Sequence, residues 1–419
     1  MNAWQLALMA TLIAAFALVS QKSTRSHLTM PMIFVGAGWV TATQGWVELD
    51  LEIEGITLLG EFTLAVILFS DAVRINVPAL TKEYQLPLRL LGIGMPLTVL
   101  AGTVLASLLI PELSIWEAAL VGSILAPTDA ALGQAVVDDP SVPLRVRQGL
   151  NVESGLNDGL ALPAVSLFVA LSVGEESDAG FWVRFVVQQV GLGILVGVGV
   201  GVVAGWLMKR ARAKDWVEGV YAQLGTLSIA FIAFTTATAL DANGFLAAFT
   251  AGLAYGMMMP RRDAENIDEY SEDTGRLLAM VAFFIFGNVL LHDYLGNPTV
   301  AVILCAIVAL TIGRMIPVAI ALAGMRPAKE TVLFVGWFGP RGLASILFGL
   351  TLLEEELPAA NQLFGIIAWT VLGSVVLHGV SATWGARKYG EWYDSMTEDE
   401  LAEMPEAVEV SMGRTRWSS

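Results

Sequence analysis

Residues 151–163 read NVESGLNDGLALP, and this stretch lies in the middle of an apolar run over residues 147–171. A run of about 20 mostly apolar residues is long enough to cross a bilayer as a helix. The stretch nevertheless carries two carboxylates, Glu153 and Asp158, together with a serine and an asparagine. Ionisable groups at membrane depth cost roughly 2.5 to 3.5 kcal/mol each and by default mark functional sites. The stretch therefore predicts a polar site inside a membrane-spanning helix.

The composition of the whole chain is that of a polytopic membrane protein. The chain has 419 residues, of which 55% are hydrophobic and 15% charged, and its mean hydropathy is +0.66. A soluble protein of this length needs more polar residues to cover its surface. The N-terminal apolar segment has neither a basic start nor a small-residue cleavage site, so we expect it to be a retained span. The single cysteine, Cys305, excludes an intrachain disulfide and a cysteine-based metal cluster.

Thirteen segments meet the length and hydropathy requirement for a membrane span. They cover about residues 3–21, 29–44, 56–72, 86–109, 114–136, 147–171, 183–207, 217–240, 243–258, 276–292, 299–323, 328–352 and 360–384. The predicted fold is therefore an all-α polytopic membrane protein. No change in composition marks a soluble domain, so we expect one membrane domain over residues 1–390 and a short acidic tail over residues 391–419.

The basic residues predict the orientation of these spans, because lysine and arginine collect on the cytoplasmic side of a membrane. All but three of the 23 basic residues fall in loops that follow odd-numbered spans, or in the C-terminal tail. The exceptions are Arg184, in a loop after an even-numbered span, and Arg314 and Arg341, inside spans. This distribution predicts an N-terminus outside and a C-terminus inside the cell.

Two aspartates are predicted to face each other near the middle of the membrane. At 1.5 Å of rise per residue, Asp129 in span five and Asp158 in span six lie roughly 12 and 16 Å from the cytoplasmic edge. A short turn, DDPSVP, joins the two spans, which should therefore be antiparallel neighbours. The two aspartates could also be a buried pair that shares one proton and serves packing.

Four polar side chains of span six lie on one adjoining helical face. Glu153 and Asn157 are spaced i,i+4, as are Ser154 and Asp158. Thr128 adds a hydroxyl beside the aspartate of span five. Carboxylate, hydroxyl and amide oxygens that converge in a dry site suit a hard cation such as Na⁺.

Prolines are expected to break two of the spans. Pro127 in span five and Pro340 in span twelve each lack a backbone donor, so the helix should unwind there. Unwound backbone at this depth is tolerated only where it is buried in protein or lines a cavity. Because the two spans run in opposite directions, the pair indicates the binding site of a secondary transporter built from inverted halves. A single proline of this kind would indicate only a kink.

Four further charged groups require partners. Arg341 needs a counter-charge at its depth, and Glu153 is the expected partner. Arg314 is either a structural partner of an anion or a charge that tunes the site. Asp71 and Arg74 are expected to form a local i,i+3 pair at the cytoplasmic end of span three.

Span seven and span thirteen each carry one more informative feature. Gly193, Gly197, Gly201 and Gly205 form a ladder that predicts close packing against another helix, in the same subunit or a partner. His378 is either a pH-titrating group or a hydrogen-bonded core residue.

The motifs together resemble the cation:proton antiporters of the NhaP and NHE type. The resemblance rests on NVESGLNDG, preceded by LAPTDA and VPLRVRQGL and followed by GPRG and LHG, and it covers about residues 1–390. It implies that Asp158 is the principal carboxylate that binds Na⁺ or H⁺. It also implies supporting oxygens from Asp129, Thr128 and Ser154, and a bracing role for Glu153, Asn157 and Arg341, with Arg341 as the ionic partner of Glu153.

The same resemblance carries expectations about architecture and setting. It implies a homodimer in a bacterial or archaeal plasma (inner) membrane, active in pH homeostasis, with no cofactor beyond the transported ions and no nucleic-acid partner. Two inverted repeats of six helices, about residues 1–171 and 217–385, are linked by span seven. A six-helix core is expected to move against a dimerisation domain.

The expected activity is Na⁺ or Li⁺ exchange for protons, because a proton and a metal ion exclude each other from one carboxylate. Asn157 stands where electrogenic relatives carry a second aspartate, which implies an electroneutral 1:1 cycle. The alternatives are a K⁺/H⁺ antiporter of the same type, a cation channel, and an intramembrane enzyme that uses Asp129 and Asp158 as an acid/base pair. The enzyme alternative lacks the Gly-x-Gly-Asp motif expected of aspartyl intramembrane proteases.

Overall fold

The computed structural model describes residues 3–24, 28–47, 49, 53–75, 84–174, 179–259, 261–296, 298–352, 357–397, 400–401 and 404. Within these residues all the regular structure is helical. The helices are α1 (Ala3–Thr24), α2 (Met30–Thr43), α3 (Ile53–Arg74), α4 (Gln85–Arg89), α5 (Met95–Leu109), α6 (Ile115–Ile124), α7 (Ala130–Val137), α8 (Leu144–Ser172), α9 (Ala179–Arg212), α10 (Gly219–Ala239), α11 (Gly244–Met258), α12 (Arg261–Phe286), α13 (His292–Tyr294), α14 (Val300–Leu310), α15 (Ile312–Leu322), α16 (Lys329–Trp337), α17 (Leu343–Thr351) and α18 (Ala360–Asp394). Two π-helical turns, Leu90–Gly94 and Gly287–Leu291, join α4 to α5 and α12 to α13.

Helices occupy all thirteen positions at which the sequence predicts a span. Among the described residues, eight helical stretches are long and apolar enough to cross a membrane. The structure therefore confirms an all-helical protein with several candidate spans, and the count of thirteen stays a prediction. The last helix continues to Asp394, past the predicted start of the tail, and most of the tail beyond it lies outside the described residues.

The helices pack as two bundles that meet at the polar stretch of α8. In the first bundle, α11 packs against α3, α9 and α10, and α12 packs against α2 and α3. In the second bundle, α6 packs against α5 and α8, α18 packs against α7 and α14, and α15 packs against α16. Contacts of α8 with α3 and α11, and of α17 with α3, join the two. The polar residues of α8 therefore lie where two separate helix bundles touch.

The glycine ladder of α9 packs against α11 of the same chain, which decides between the two partners that the sequence allowed. A Cβ at Gly197 would overlap the hydroxyl of Thr250 and the backbone of Ala247, and a Cβ at Gly201 would overlap the carbonyl of Ala251. Small residues allow two backbones to approach this closely. The first bundle is thus interlocked along α9 and α11.

A capping box at the start of α6 also connects two spans of the second bundle. Ser114 Oγ accepts a hydrogen bond from Glu117 N at 3.2 Å, and Ser114 N donates to Glu117 Oε2 at 2.9 Å. The other carboxylate oxygen accepts from Ala359 N at 2.8 Å, directly before α18. The buried Glu117 carboxylate is therefore satisfied by two backbone donors, which explains a charged residue here without assigning it to ion binding.

Both predicted helix breaks are confirmed. The fifth span is interrupted between Ile124 and Ala130, and the twelfth between Trp337 and Leu343. Because Pro127 and Pro340 cannot donate to a preceding carbonyl, neither helix continues through its proline. A third interruption was not predicted: Thr311, with φ −111° and ψ −97°, separates α14 from α15.

Candidate functional site

The two broken spans cross each other and are joined through their unwound backbones. Asp129 N donates to Pro340 O at 2.8 Å. Ser345 Oγ donates to Ile124 O at 2.8 Å, so a carbonyl freed at the end of α6 is satisfied by the opposite span. Unwound backbone in a low-dielectric interior needs such partners. The crossing is therefore one connected polar unit.

Asp129 caps the second half of the opposite broken span. Its Oδ2 accepts a hydrogen bond from Leu343 N, the first residue of α17, at 2.7 Å. A carboxylate at a helix N-terminus is stabilised by the unpaired backbone N–H groups and the helix dipole. Gly342 leaves room for this contact, because a Cβ there would overlap the carboxylate. Asp129 thus has a structural role in addition to the ion-binding role predicted from the sequence.

Three of the predicted site residues form a hydrogen-bonded cluster beside the crossing. Thr128 Oγ1 lies 3.0 Å from Ser154 Oγ, and Asn157 Nδ2 donates to Thr128 Oγ1 at 2.8 Å. All three side chains are buried. The cluster ties the unwound segment of span five to α8 and places Asn157 as a donor to protein, in keeping with its predicted bracing role.

Asp158 lies at this cluster with an oxygen that no described residue satisfies. The residue is 4% exposed, and its Oδ1 is buried without a hydrogen-bond partner among the described residues, as is Oδ1 of Asn157. The carboxylates of Asp129 and Asp71 act on it electrostatically. Buried acceptor oxygens without donors are rare in native proteins and call for an explanation, such as a bound ion. A proton or a cation at Asp158 would supply what the protein does not.

Asp71 was not predicted as a site residue. Its expected partner, the side chain of Arg74, lies outside the described residues. Asp71 lies in the last turn of α3, and its carboxylate acts electrostatically on Asp158. The available sequence signal was a carboxylate close to the cytoplasmic end of span three, the helix that packs against both α8 and α17.

The ionic partner of Glu153 is Arg314, so the predicted pairing with Arg341 is wrong. Arg314 Nη1 and Nη2 donate to the two carboxylate oxygens of Glu153 at 2.8 and 2.9 Å. The two side chains are only 3% and 4% exposed. This parallel, two-point geometry is the strongest arrangement available to an arginine and a carboxylate.

Backbone geometry explains why Arg314 and not Arg341 reaches Glu153. The interruption at Thr311 precedes Arg314 by three residues and re-aims the start of α15. Gly339 then leaves room for the guanidinium, since a Cβ there would overlap Arg314 Nε. The sequence signal for this interruption was TIG at 311–313, because these three residues form helices weakly and directly precede a buried arginine.

Arg341 contacts the crossing through carbonyl groups. Its Nε donates to Leu125 O at 2.8 Å, and its Nη1 donates to Gly339 O. Its backbone N–H donates to Ser374 Oγ at 2.6 Å. Arg341 therefore contacts backbone carbonyls of both broken spans, and its bracing role stays a prediction.

His378 is a hydrogen-bonded core residue of α18. Its Nε2 lies 2.9 Å from Trp337 O, the last residue of α16, and its Nδ1 lies 3.2 Å from Ser374 Oγ. The imidazole is buried against the Trp337 ring, with 5.2 Å between ring centroids. It therefore helps to anchor the broken twelfth span to α18.

Asn243 is a second polar residue that was not predicted from the sequence. Its Nδ2 donates to Gly159 O at 2.6 Å, one residue after Asp158, and its Oδ1 accepts from Leu246 N at 2.9 Å. An asparagine directly before an apolar helical run is a helix-capping signal. Nothing in the sequence pattern shows that the same side chain reaches α8.

Comparisons with known proteins agree with this architecture. The transmembrane sodium/hydrogen exchanger family matches residues 8–388. The K(+)/H(+) antiporter NhaP2 of Shewanella oneidensis is 27% identical over 384 residues, which cover 90% of this chain and 66% of that protein. A Na(+)/H(+) antiporter of Schizosaccharomyces pombe is 25% identical over 318 residues, covering 67% of each chain. The chain thus spans just under two thirds of the length of the bacterial relative.

The fold is also that of a solved transporter. Two structures of MjNhaP1, a sodium proton antiporter from Methanocaldococcus jannaschii, superpose with TM-scores of 0.76 and 0.79 at 20% and 19% identity. They cover 92% and 93% of this chain and 98% of each matched chain. The resemblance based on the ESGLNDG motif is therefore confirmed, and the chain belongs to the transmembrane sodium/hydrogen exchanger family.

Proposed function

We propose that the protein exchanges a monovalent cation for protons across a membrane, with Asp158 as the carboxylate for which the two compete. The observation that carries this proposal is the buried Asp158 oxygen without a partner in the described part of the chain, beside the hydroxyls of Ser154 and Thr128. A cation there would be held by hard oxygen ligands, and a proton would replace it. The position of the site between two helix bundles suits a movement that exposes it to either side in turn.

Na⁺ or Li⁺ is the proposed cation, and K⁺ is the alternative. The relatives support both, since the Shewanella oneidensis protein is named a K(+)/H(+) antiporter and the Schizosaccharomyces pombe protein a Na(+)/H(+) antiporter. Members and structural neighbours of the family are transporters, so the enzyme alternative has no support there.

The proposed cycle is electroneutral, with one cation for one proton. Asn157 supports this because its Nδ2 is committed to Thr128 and it carries no exchangeable charge. Asp129, the other carboxylate predicted to bind the ion, is engaged at the start of α17. One exchangeable carboxylate then moves either one cation or one proton in each half-cycle.

We further propose a homodimer in a bacterial or archaeal plasma membrane, with the N-terminus outside and the C-terminus inside. The distribution of basic residues supports this orientation. The two bundles support the division into a moving core and a dimerisation domain, and the two broken spans that cross in opposite directions support inverted repeats.

The test uses purified protein in liposomes that contain a pH-sensitive dye. Pulses of Na⁺, Li⁺ and K⁺ are compared for wild type, Asp158→Asn and the matched control Asp215→Asn, at a turn residue outside the site. Wild type and the control should show cation-driven proton flux, and Asp158→Asn none. Normal flux in folded Asp158→Asn would remove Asp158 from its role. Flux that changes with a membrane potential set by a thiocyanate gradient would contradict the electroneutral cycle.

A further inference from the structure

Asn243 joins three helices at a single buried point. Its side chain caps α11 through Leu246 N and donates to Gly159 O of α8, while its backbone N donates to Gln189 O of α9 at 3.2 Å. Gln189 Nε2 in turn donates to Asp241 O at 3.0 Å in the same turn. Asn243 is fully buried. It is therefore fixed to the first bundle and reaches across to the second.

Two glycines of the ESGLNDG motif allow α8 and α11 to pack closely around this hydrogen bond. A Cβ at Gly155 would lie 2.5 Å from the Phe249 ring, and a Cβ at Gly159 would lie 3.2 Å from Leu246 N. Any larger side chain would push α8 away from α11. The glycines thus allow the backbone of α8 to come within reach of the Asn243 amide.

The hydrogen bond acts directly beside the proposed ion site. Gly159 follows Asp158 in the chain, and the turn that carries Asn243 follows the eighth span. By the distribution of basic residues this turn lies on the outer side of Asp158, and its bond to Gly159 places it within the membrane. The contact of α8 with α11 therefore lies beside Asp158, on the side that faces outward along this interface.

We propose that Asn243 is a gating and positioning residue, whose amide holds α8 against α11 while the site is closed to the outside. This proposal rests on the proposed exchange function, since alternating exposure requires this contact to break. A buried neutral hydrogen bond contributes modestly to stability, so it can break and re-form in every cycle. Its loss should shift the ratio of closed to open conformations by about 3- to 10-fold.

The test measures access to α8 without using transport. Leu162 is half-buried and lies one turn after Gly159 on the same face of α8. In a Cys305→Ser background, Leu162→Cys is labelled with a membrane-impermeant maleimide from the outside of intact cells. Asn243→Ser keeps a good helix cap, but its side chain is too short to reach Gly159 O. Thr299→Ala, which removes the cap of α14 and no link between the bundles, is the matched control.

Asn243→Ser should raise the labelling rate about 3- to 10-fold, and Thr299→Ala should leave it unchanged. An unchanged rate in folded Asn243→Ser would overturn the proposal. If that variant does not fold, Gly159→Ala provides the second test, since its methyl group presses on Leu246 N and should raise labelling in the same direction. Labelling does not require ion flux. If Asn243→Ser raises labelling but the wild-type protein shows no exchange activity, the proposed function is contradicted and the role of Asn243 in closing the contact is not.

Discussion

Substituting methionine for Arg314 leaves the Glu153 carboxylate buried without its guanidinium partner. The two side chains are 3% and 4% exposed and share two hydrogen bonds of 2.8 and 2.9 Å. At this burial the pair has little solvent screening, and removing one partner of such a pair typically costs about 3–5 kcal/mol. Arg314→Met should therefore be strongly destabilising.

Thermal unfolding in detergent measures this cost. From the average unfolding entropy per residue, a loss of that size in a chain of 419 residues corresponds to a fall in Tm of about 3–6 °C. Glu153→Gln combined with Arg314→Met should recover part of the loss, since the double variant buries no unpaired charge. The double-mutant cycle of these two residues should give a coupling of about 2–3 kcal/mol.

Arg341 provides the decisive comparison. It donates to the carbonyls of Leu125 and Gly339, so the cycle of Glu153→Gln with Arg341→Met should give a smaller coupling than the cycle with Arg314→Met. A stronger coupling of Glu153 to Arg341 than to Arg314 would refute the assignment of the ion pair. The pairing expected from the sequence would then be the correct one.

Three further substitutions test the packing and the site. Gly197→Ala should destabilise the protein in thermal unfolding because its methyl group overlaps α11, whereas Gly199→Ala, which meets nothing within 4 Å, should leave Tm unchanged. Thr128→Val removes the hydroxyl shared by two partners and should lower stability by about 1–3 kcal/mol, measured in the same way. Asp129→Asn removes the charge at the start of α17 and should cost about 0.3–1 kcal/mol of stability while reducing liposome flux at least tenfold; flux equal to wild type would exclude Asp129 from ion binding.

The helices and their breaks could be predicted from the sequence because local chemistry decides them. Apolar length determines whether a segment can span a bilayer, and Pro127 and Pro340 each lack the backbone donor that a continuous helix would use there. The i,i+4 spacing of Ser154 and Asp158 likewise puts both side chains on one face of any helix that contains them. These properties depend only on neighbours in the chain.

The long-range partners could not be predicted in the same way. Whether Glu153 pairs with Arg314 or Arg341 depends on the orientation of α15 and of the unwound segment of span twelve. The interruption at Thr311, which sets the orientation of α15, contains no proline that would have predicted it. The cap that Asp129 provides for α17 depends on the crossing of two distant segments. Asn243 shows the same limit, because its cap is visible in the sequence and its contact with Gly159 is not.

The helix α11 lies between glycine faces on two sides, and the two contacts differ in kind. On α9, side-chain and backbone atoms of α11 fill the space at Gly197 and Gly201, so the two helices pack closely. On α8, two glycines face the Phe249 ring and the Leu246 backbone, and the Asn243 amide donates a hydrogen bond across the contact. α11 therefore packs more extensively against α9, in its own bundle, than against α8 of the other bundle. A methyl group added at Gly155 or Gly159 would press α8 away from α11 without touching a polar side chain, so inactive variants are expected at positions that carry no chemistry of their own.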